Sequence, residues 1–179
     1  MDQFPYPNLE LKPGLNINKN LFFNIKDLNN NLLNELFKVL DEVKVQGVFK
    51  EEDVKIAREV INEKLSNLKN YNIKIVESSG NILGFICYDK SILSDSFYDL
   101  YWIAVLPSFQ KQGIGTLLMN EMERDVKAKG GKAIILETSS SENYLVARHM
   151  YEKLGYKLIA KIENFYSEGE DKLIYKKDI

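Results

Sequence analysis

A pair of glycines set between an apolar run and an amphipathic one constrains this chain more than any other feature. Leu100 to Val105 is apolar nearly throughout, Pro107-Ser108 turns the chain, and Gln110-x-x-Gly113-x-Gly115 opens a segment carrying Ile114, Leu118, Met122 and Val126 at helical spacing. Glycines where a helix begins let several backbone N–H groups converge on one anion. The helix dipole adds roughly half a positive charge at the same place. The loop is therefore expected to hold a phosphate or pyrophosphate through Gln110, Lys111, Gln112, Gly113, Ile114, Gly115 and Thr116.

Two other phosphate loops do not fit. A Walker loop needs Gly, four residues, then Gly-Lys-Ser/Thr, and the chain has no such run. A dinucleotide fingerprint needs a third glycine where this chain has Leu118, and needs the strand to end directly before the first. On these residues alone, an ordinary glycine-rich strand-to-helix turn is the competing reading.

Downstream lies Tyr144-Leu-Val-Ala147-Arg-His-Met-Tyr151-Glu-Lys-Leu-Gly155-Tyr156. Ala147 and Tyr151 share a helical face, and Gly155 stands where a helix would be capped. A strand is expected over residues 132–137, between the two motifs. Together they resemble the two signatures of the GNAT acetyltransferase superfamily, Gln/Arg-x-x-Gly-x-Gly/Ala and Ala-x-x-x-Tyr-x-x-x-Gly-Phe/Tyr. The resemblance covers residues 97–177 strongly and 71–96 moderately, and is topological before residue 70. A bacterial and archaeal subgroup is more similar still, sharing Tyr98-x-Leu-Tyr-Trp-Ile-Ala-Val105, Glu137-Thr-Ser-Ser140 and Phe165-Tyr-x-x-Gly-x-Asp-Lys172.

The resemblance implies an α/β (α+β) GNAT fold, a mixed central sheet of about seven strands flanked by four helices in the order β-α-α-β-β-β-α-β-α-β-β. The pattern of the chain agrees. Residues 1–20, with Pro5, Pro7 and Pro13, read as an extended arm on a single domain spanning 1–179. Leu21 to Lys26 reads as a strand closed by Asp27 as a helix N-cap. Two helices are expected over 28–45 and from Glu51, the second with Val54, Ala57, Ile61, Leu65 and Leu68 inward. A hairpin follows across Ser78-Ser-Gly-Asn81, and Phe97–Val105 reads as a central strand buried on both faces. Helix 143–154 and strands 156–163 and 172–177 complete the order.

The resemblance also implies the chemistry: an acetyl group passes from acetyl-CoA to a primary amine of a small molecule or peptide. Pantetheine would pair with the backbone of Ile103, Ala104 and Val105. Tyr151 would stabilise the leaving sulfur. Asp99 occupies the place of the family's catalytic glutamate on the central strand, and Glu137 is the second candidate base. Asn143 lies one residue from the family's cofactor-contacting asparagine position. Tyr144 and Arg148, four residues apart on one helix, would frame the acceptor, arginine being suited to a carboxylate. A non-catalytic acyl-CoA sensor is the alternative reading. Family habit adds a homodimer through the C-terminal strands.

Composition narrows the partners. The net charge of −2 carries no basic excess that would suit nucleic acid or anionic lipid. The one cysteine, Cys87, sits in an apolar strand and is expected to be a buried structural thiol, and the one histidine, His149, has no companions for a metal site. No apolar run approaches the ~20 residues of a membrane span, and the N-terminus lacks the basic-then-apolar pattern of a secretory signal. A cytoplasmic enzyme without a metal is expected.

Overall fold

The computed structural model describes residues 23–47 and 49–179. The expected 1–20 arm lies outside them. The elements run β1 (Asn24–Asp27), α1 (Leu33–Val45), α2 (Glu51–Leu65), β2 (Asn72–Ser78), β3 (Asn81–Lys90), β4 (Phe97–Val105), α3 (Ile114–Ala128), β5 (Ala133–Ser139), α4 (Leu145–Lys153), β6 (Lys157–Ser167) and β7 (Glu170–Asp178). They form one seven-stranded sheet of order β1-β2-β3-β4-β5-β7-β6. All neighbours are antiparallel except β4 and β5.

Alternation along the strands divides the core in two. On one face Ile86, Tyr88, Tyr98, Leu100, Ile134 and Leu136 meet Ile114, Leu118, Met122 and Val126 of α3. On the other, Ile73, Ile75, Phe85 and Cys87 meet Leu36, Leu40 and Val43 of α1 and Val54, Ala57 and Ile61 of α2. Cys87 is buried, as its strand context implied, and burial pushes its thiol pKa up. It is packing, not a nucleophile.

Several boundaries differ from expectation. Asp27 does not cap a helix: it ends β1 and pairs with Lys74, while Asn29 caps a short 3-10 turn by accepting the Asn31 N–H. Asn29 opens a run of three asparagines, and Asp27 is already taken up in the sheet opposite Lys74. Leu68 lies beyond α2 and is exposed. The β2–β3 turn has both central residues at positive φ, Ser79 at 51° and Gly80 at 83°, the tight hairpin geometry whose twist matches the strands. β6 and β7 extend closer together than expected, to a turn at Glu168-Gly169.

Candidate active site

β4 runs beside β5 only from Phe97 to Leu100, opposite Ala133 to Leu136. Beyond Leu100 the strands part: β4 continues against β3 to Val105, and β5 continues against β7. A bulge marks the parting. Tyr88 faces Leu100 and Cys87 faces Trp102, so Tyr101 is the extra residue. A bulge bends its strand and sharpens its twist, which turns β4 away from β5 at this point. The β5-facing backbone of Tyr101–Val105, including Ile103, Ala104 and Val105, is left without a strand partner.

The loop after β4 is held by its own side chains. Gln110 Nε2 donates to the Val105 carbonyl and Gln112 Nε2 to the Ser108 carbonyl, both at 3.2 Å. Lys111 and Gly113 take left-handed φ values of 59° and 84°. The Leu117 N–H closes the first helical bond, to the Gly113 carbonyl at 2.9 Å. The amides of Ile114, Gly115 and Thr116 thus precede it and have no helix carbonyl to bond. The two glycines have separate reasons. Gly113 supplies a backbone angle, with nothing within 4 Å of where its Cβ would stand. At Gly115 a Cβ would lie 2.9 Å from Met150 Sδ, so glycine lets α3 and α4 meet.

α4 brings Tyr151 to the parted strands. Gly155, at φ 89°, ends the helix, and the Tyr156 N–H folds back to the Tyr151 carbonyl at 3.0 Å. Tyr151 is 5% exposed, and the rings of Tyr156 and Tyr175 each lie 6.2 Å from its own. Burial pushes its hydroxyl pKa well up, and Tyr144 and Tyr175 add to the shift. Asn143 Nδ2 donates to the Gly47 carbonyl at 2.9 Å, tying the start of α4 to the α1–α2 loop. Arg148 Nη1 donates to the Ser139 and Ser141 carbonyls at 2.8 and 2.6 Å. Those bonds clip the β5–α4 loop through one guanidinium nitrogen.

Asp99 and Glu137 alternate with Leu100 and Leu136 and so face away from α3. Burial pushes the Asp99 carboxyl above its ordinary value; a hydrogen bond with the Ser91 side chain pulls it back, and the charge of Glu137 adds to the rise. Glu137 is ion-paired with Lys172 Nζ at 2.7 Å, and that ammonium stands 3.7 Å from the Phe165 ring centroid. Among the described residues Asp99 has no such cation. The expectation that β4 is buried on both faces fails here: Asp99 is half-buried and Tyr101 is 37% exposed. Burial, with the charge of Asp99 next, pushes the Tyr101 hydroxyl up to about 12.

A ring of mutual influence outlines the opening. Tyr166 is raised by burial, then by Glu137, Asp53 and Glu170; Tyr144 reaches about 12 through burial, then Asp53, Tyr166 and Glu170. Charge links Asp99 to Glu137, Glu137 to Tyr166, Tyr166 to Tyr144 and Tyr144 to Tyr151 in pairs along this side of the molecule. Two ion pairs here carry no signal in the sequence, because each joins distant segments: Lys50 with Glu170 and Lys172 with Glu137. Among the described residues no group of three His, Cys, Asp or Glu gathers as a metal set, and no helix is long and apolar enough to cross a membrane.

Comparison with known proteins places this geometry. The family model described as acetyltransferase (GNAT) family matches residues 34–156. The [ribosomal protein bS18]-alanine N-acetyltransferase of Haemophilus influenzae is 34% identical over 96 residues, 53% of this chain and 60% of that protein. The match thus spans less than two thirds of that relative. A crystal structure from Desulfovibrio desulfuricans, described as a GNAT-family acetyltransferase, superposes with TM-score 0.79 at 30% identity, covering 88% of this chain and 98% of that one. An acetyltransferase of Salmonella typhimurium solved with its cofactor acetyl-CoA shares the fold at TM-score 0.70 and 12% identity, over 87% of this chain and 93% of that one.

Proposed function

The chain belongs to the acetyltransferase (GNAT) family, and on that premise we propose that it transfers the acetyl group of acetyl-CoA to a primary amine, with a peptide α-amine the foremost acceptor. The observation that carries the reading is the parting of β4 and β5 beside Tyr151, with unbonded amides waiting at the start of α3. The name of the Haemophilus relative supports the acceptor class.

The residues fit the cofactor. Ile114, Gly115 and Thr116 offer three amides and the helix dipole to a pyrophosphate, and the open backbone of Ile103–Val105 offers a strand edge to an amide-bearing arm. Acetyl-CoA, when bound, supplies a thioester carbon for the amine to attack and a thiolate to leave. Tyr151 serves the leaving group. Its raised pKa keeps the proton on oxygen, well above a thiol's ~8.5, so it stabilises the sulfur by donating a hydrogen bond rather than by surrendering the proton.

Asp99 is the base in this reading. It faces the opening without a cation, and its raised pKa brings it nearer the pKa of an amine. Glu137, held by Lys172, is the weaker candidate. A half-buried aspartate is a modest base, and the acceptor must suit it. Deprotonating an α-amine of pKa ~8 at pH 7 costs about 1.4 kcal/mol, against about 4.6 for a lysine ammonium.

This reading places the enzyme in the cytoplasm. Its outer strand β6 leaves Leu158, Ile159 and Ile162 exposed, which supports a homodimer through the C-terminal strands that light scattering would check. The test of function is thiol release from acetyl-CoA with α-amino acids, polyamines, aminoglycosides and N-terminal peptides, for the parent and Tyr151→Phe. Amine-dependent release slowed by the substitution supports the reading. Cofactor binding without release to any amine would instead favour an acyl-CoA sensor.

A further inference from the structure

On the proposed peptide-acetyltransferase reading, we infer that Glu170 anchors a cationic side chain of the acceptor, and that the chain's own Lys50 holds that place until the acceptor arrives. Glu170 opens β7 beside Ser139, the last residue of β5, past the point where β4 and β5 part. Its Oε1 accepts the Ser139 hydroxyl at 2.6 Å and its Oε2 the Ser167 hydroxyl at 3.3 Å. Those bonds, the one from Ser139 first, hold its carboxyl below the ordinary range, and Lys50 adds to this. The carboxylate is thus ionised, fixed in direction and only 19% exposed at its side chain.

Its cation is held differently. Lys50 reaches across from the α1–α2 loop, its Nζ 3.5 Å from Glu170 Oε2 and 5.8 Å from the Tyr166 ring centroid, with 58% of its side chain exposed. A single long contact on an exposed lysine contributes little and exchanges readily. A second lysine contrasts with it: Lys172 is 15% exposed, 2.7 Å from Glu137 and seated on Phe165. Glu137 is itself 52% exposed, but the Lys172 ammonium is largely covered, closely paired and seated on a ring, as a permanent fixture would be. Lys50 has the exposure and long contact of a stand-in.

The surroundings suit a guest cation. A carboxylate beside an aromatic face binds an ammonium or guanidinium from two sides, and a guanidinium can take both carboxylate oxygens where Lys50 takes one. The loop that carries Lys50 is tied to the start of α4 by the bond from Asn143 to the Gly47 carbonyl. An acceptor peptide entering between this loop and β7 would meet Glu170 with a side chain beyond its reactive amine. Arginine or lysine at that point displaces Lys50; an acidic side chain meets Glu170 with like charge.

The test uses alanine-initiated hexapeptides, one neutral and four with a single arginine walked from the second to the fifth position. Acetylation is followed by thiol release, and binding by anisotropy of the same peptides labelled at the C-terminus, with coenzyme A present. One arginine peptide is expected to have a KM about tenfold below the neutral one, the worth of one charge-assisted hydrogen bond. In Glu170→Gln, which can keep the Ser139 bond, that ratio collapses towards one. Lys50→Ala, on an exposed side chain, lowers KM for the favoured peptide about two- to fivefold by removing the competitor. Turnover with no arginine preference, or an equal effect of Glu170→Gln on neutral and arginine peptides, overturns the anchor and leaves acetyl transfer standing. Arginine-selective, Glu170-dependent binding without turnover supports the anchor and overturns the transferase reading. Failure of every peptide to bind overturns the anchor.

Discussion

At Tyr151 and Asp99 the environment decides what a side chain can do. The Tyr151 ring is packed between Tyr156 and Tyr175, so Tyr151→Phe keeps the packing and removes only the hydroxyl. The expected result is a fall in kcat of about 10- to 100-fold, the worth of one hydrogen bond to developing charge, with acetyl-CoA affinity unchanged. Steady-state kinetics with calorimetry check both. Asp99 carries a stability consequence of known sign. Its carboxyl lies above its ordinary value in the fold, so between the unfolded and folded values the native state binds the extra proton, and stability falls as pH rises. Above the folded value the full cost is present. Asp99→Asn should therefore melt higher than the parent at pH 7, lose that advantage towards about pH 3, and lose the limb of kcat/KM that rises through the Asp99 pKa. An unchanged pH profile would remove Asp99 from the base role.

Among the elements, the start of α3 and its contact with α4 separate two glycines that look alike in sequence. Gly113 sits at φ 84°, where an L side chain costs roughly 1–2 kcal/mol whatever the space around it. Gly113→Ala is expected to weaken acetyl-CoA binding by distorting the turn that aims the Ile114–Thr116 amides. Gly115→Ala instead meets Met150 Sδ at 2.9 Å, the far end of a flexible side chain. Its defect should be relieved by Met150→Ala, while that of Gly113→Ala should not. Calorimetric binding to the four variants distinguishes backbone strain from crowding. The bulge at Tyr101 belongs to the same scale. The apolar run predicted a strand of the right length, Phe97–Val105, but not the extra residue that turns it outward, because a bulge arises from pairing with β3 and β3 lies ten or more residues away in the chain.

The whole molecule sets these elements on a sheet with a core on each face, and the cost of a change follows its depth in that core. Phe85 is fully buried beneath α1 and α2. Phe85→Ala should cost about 3–5 kcal/mol, whereas Leu93→Ala, at a position 98% exposed, should stay within about 0.5 kcal/mol; urea unfolding checks both. The strand and helix order, the glycine loop that opens α3 and the place of Tyr151 on α4 were legible in the chain because each rests on local spacing: period 3.6 in α3, glycines at its start, and steps of four through Ala147, Tyr151 and Gly155. The sequence by itself therefore determined the fold and the glycine loop at which an anion is proposed to bind. Only the tertiary structure decided the side-chain pairings on the proposed acceptor side. It gave Glu137 to Lys172, Arg148 Nη1 to two loop carbonyls and Asn143 to Gly47, and it brought Lys50 to Glu170 and Tyr166. Those residues come from segments up to 120 positions apart, and a partner chosen across such a distance leaves no periodicity for the sequence to display.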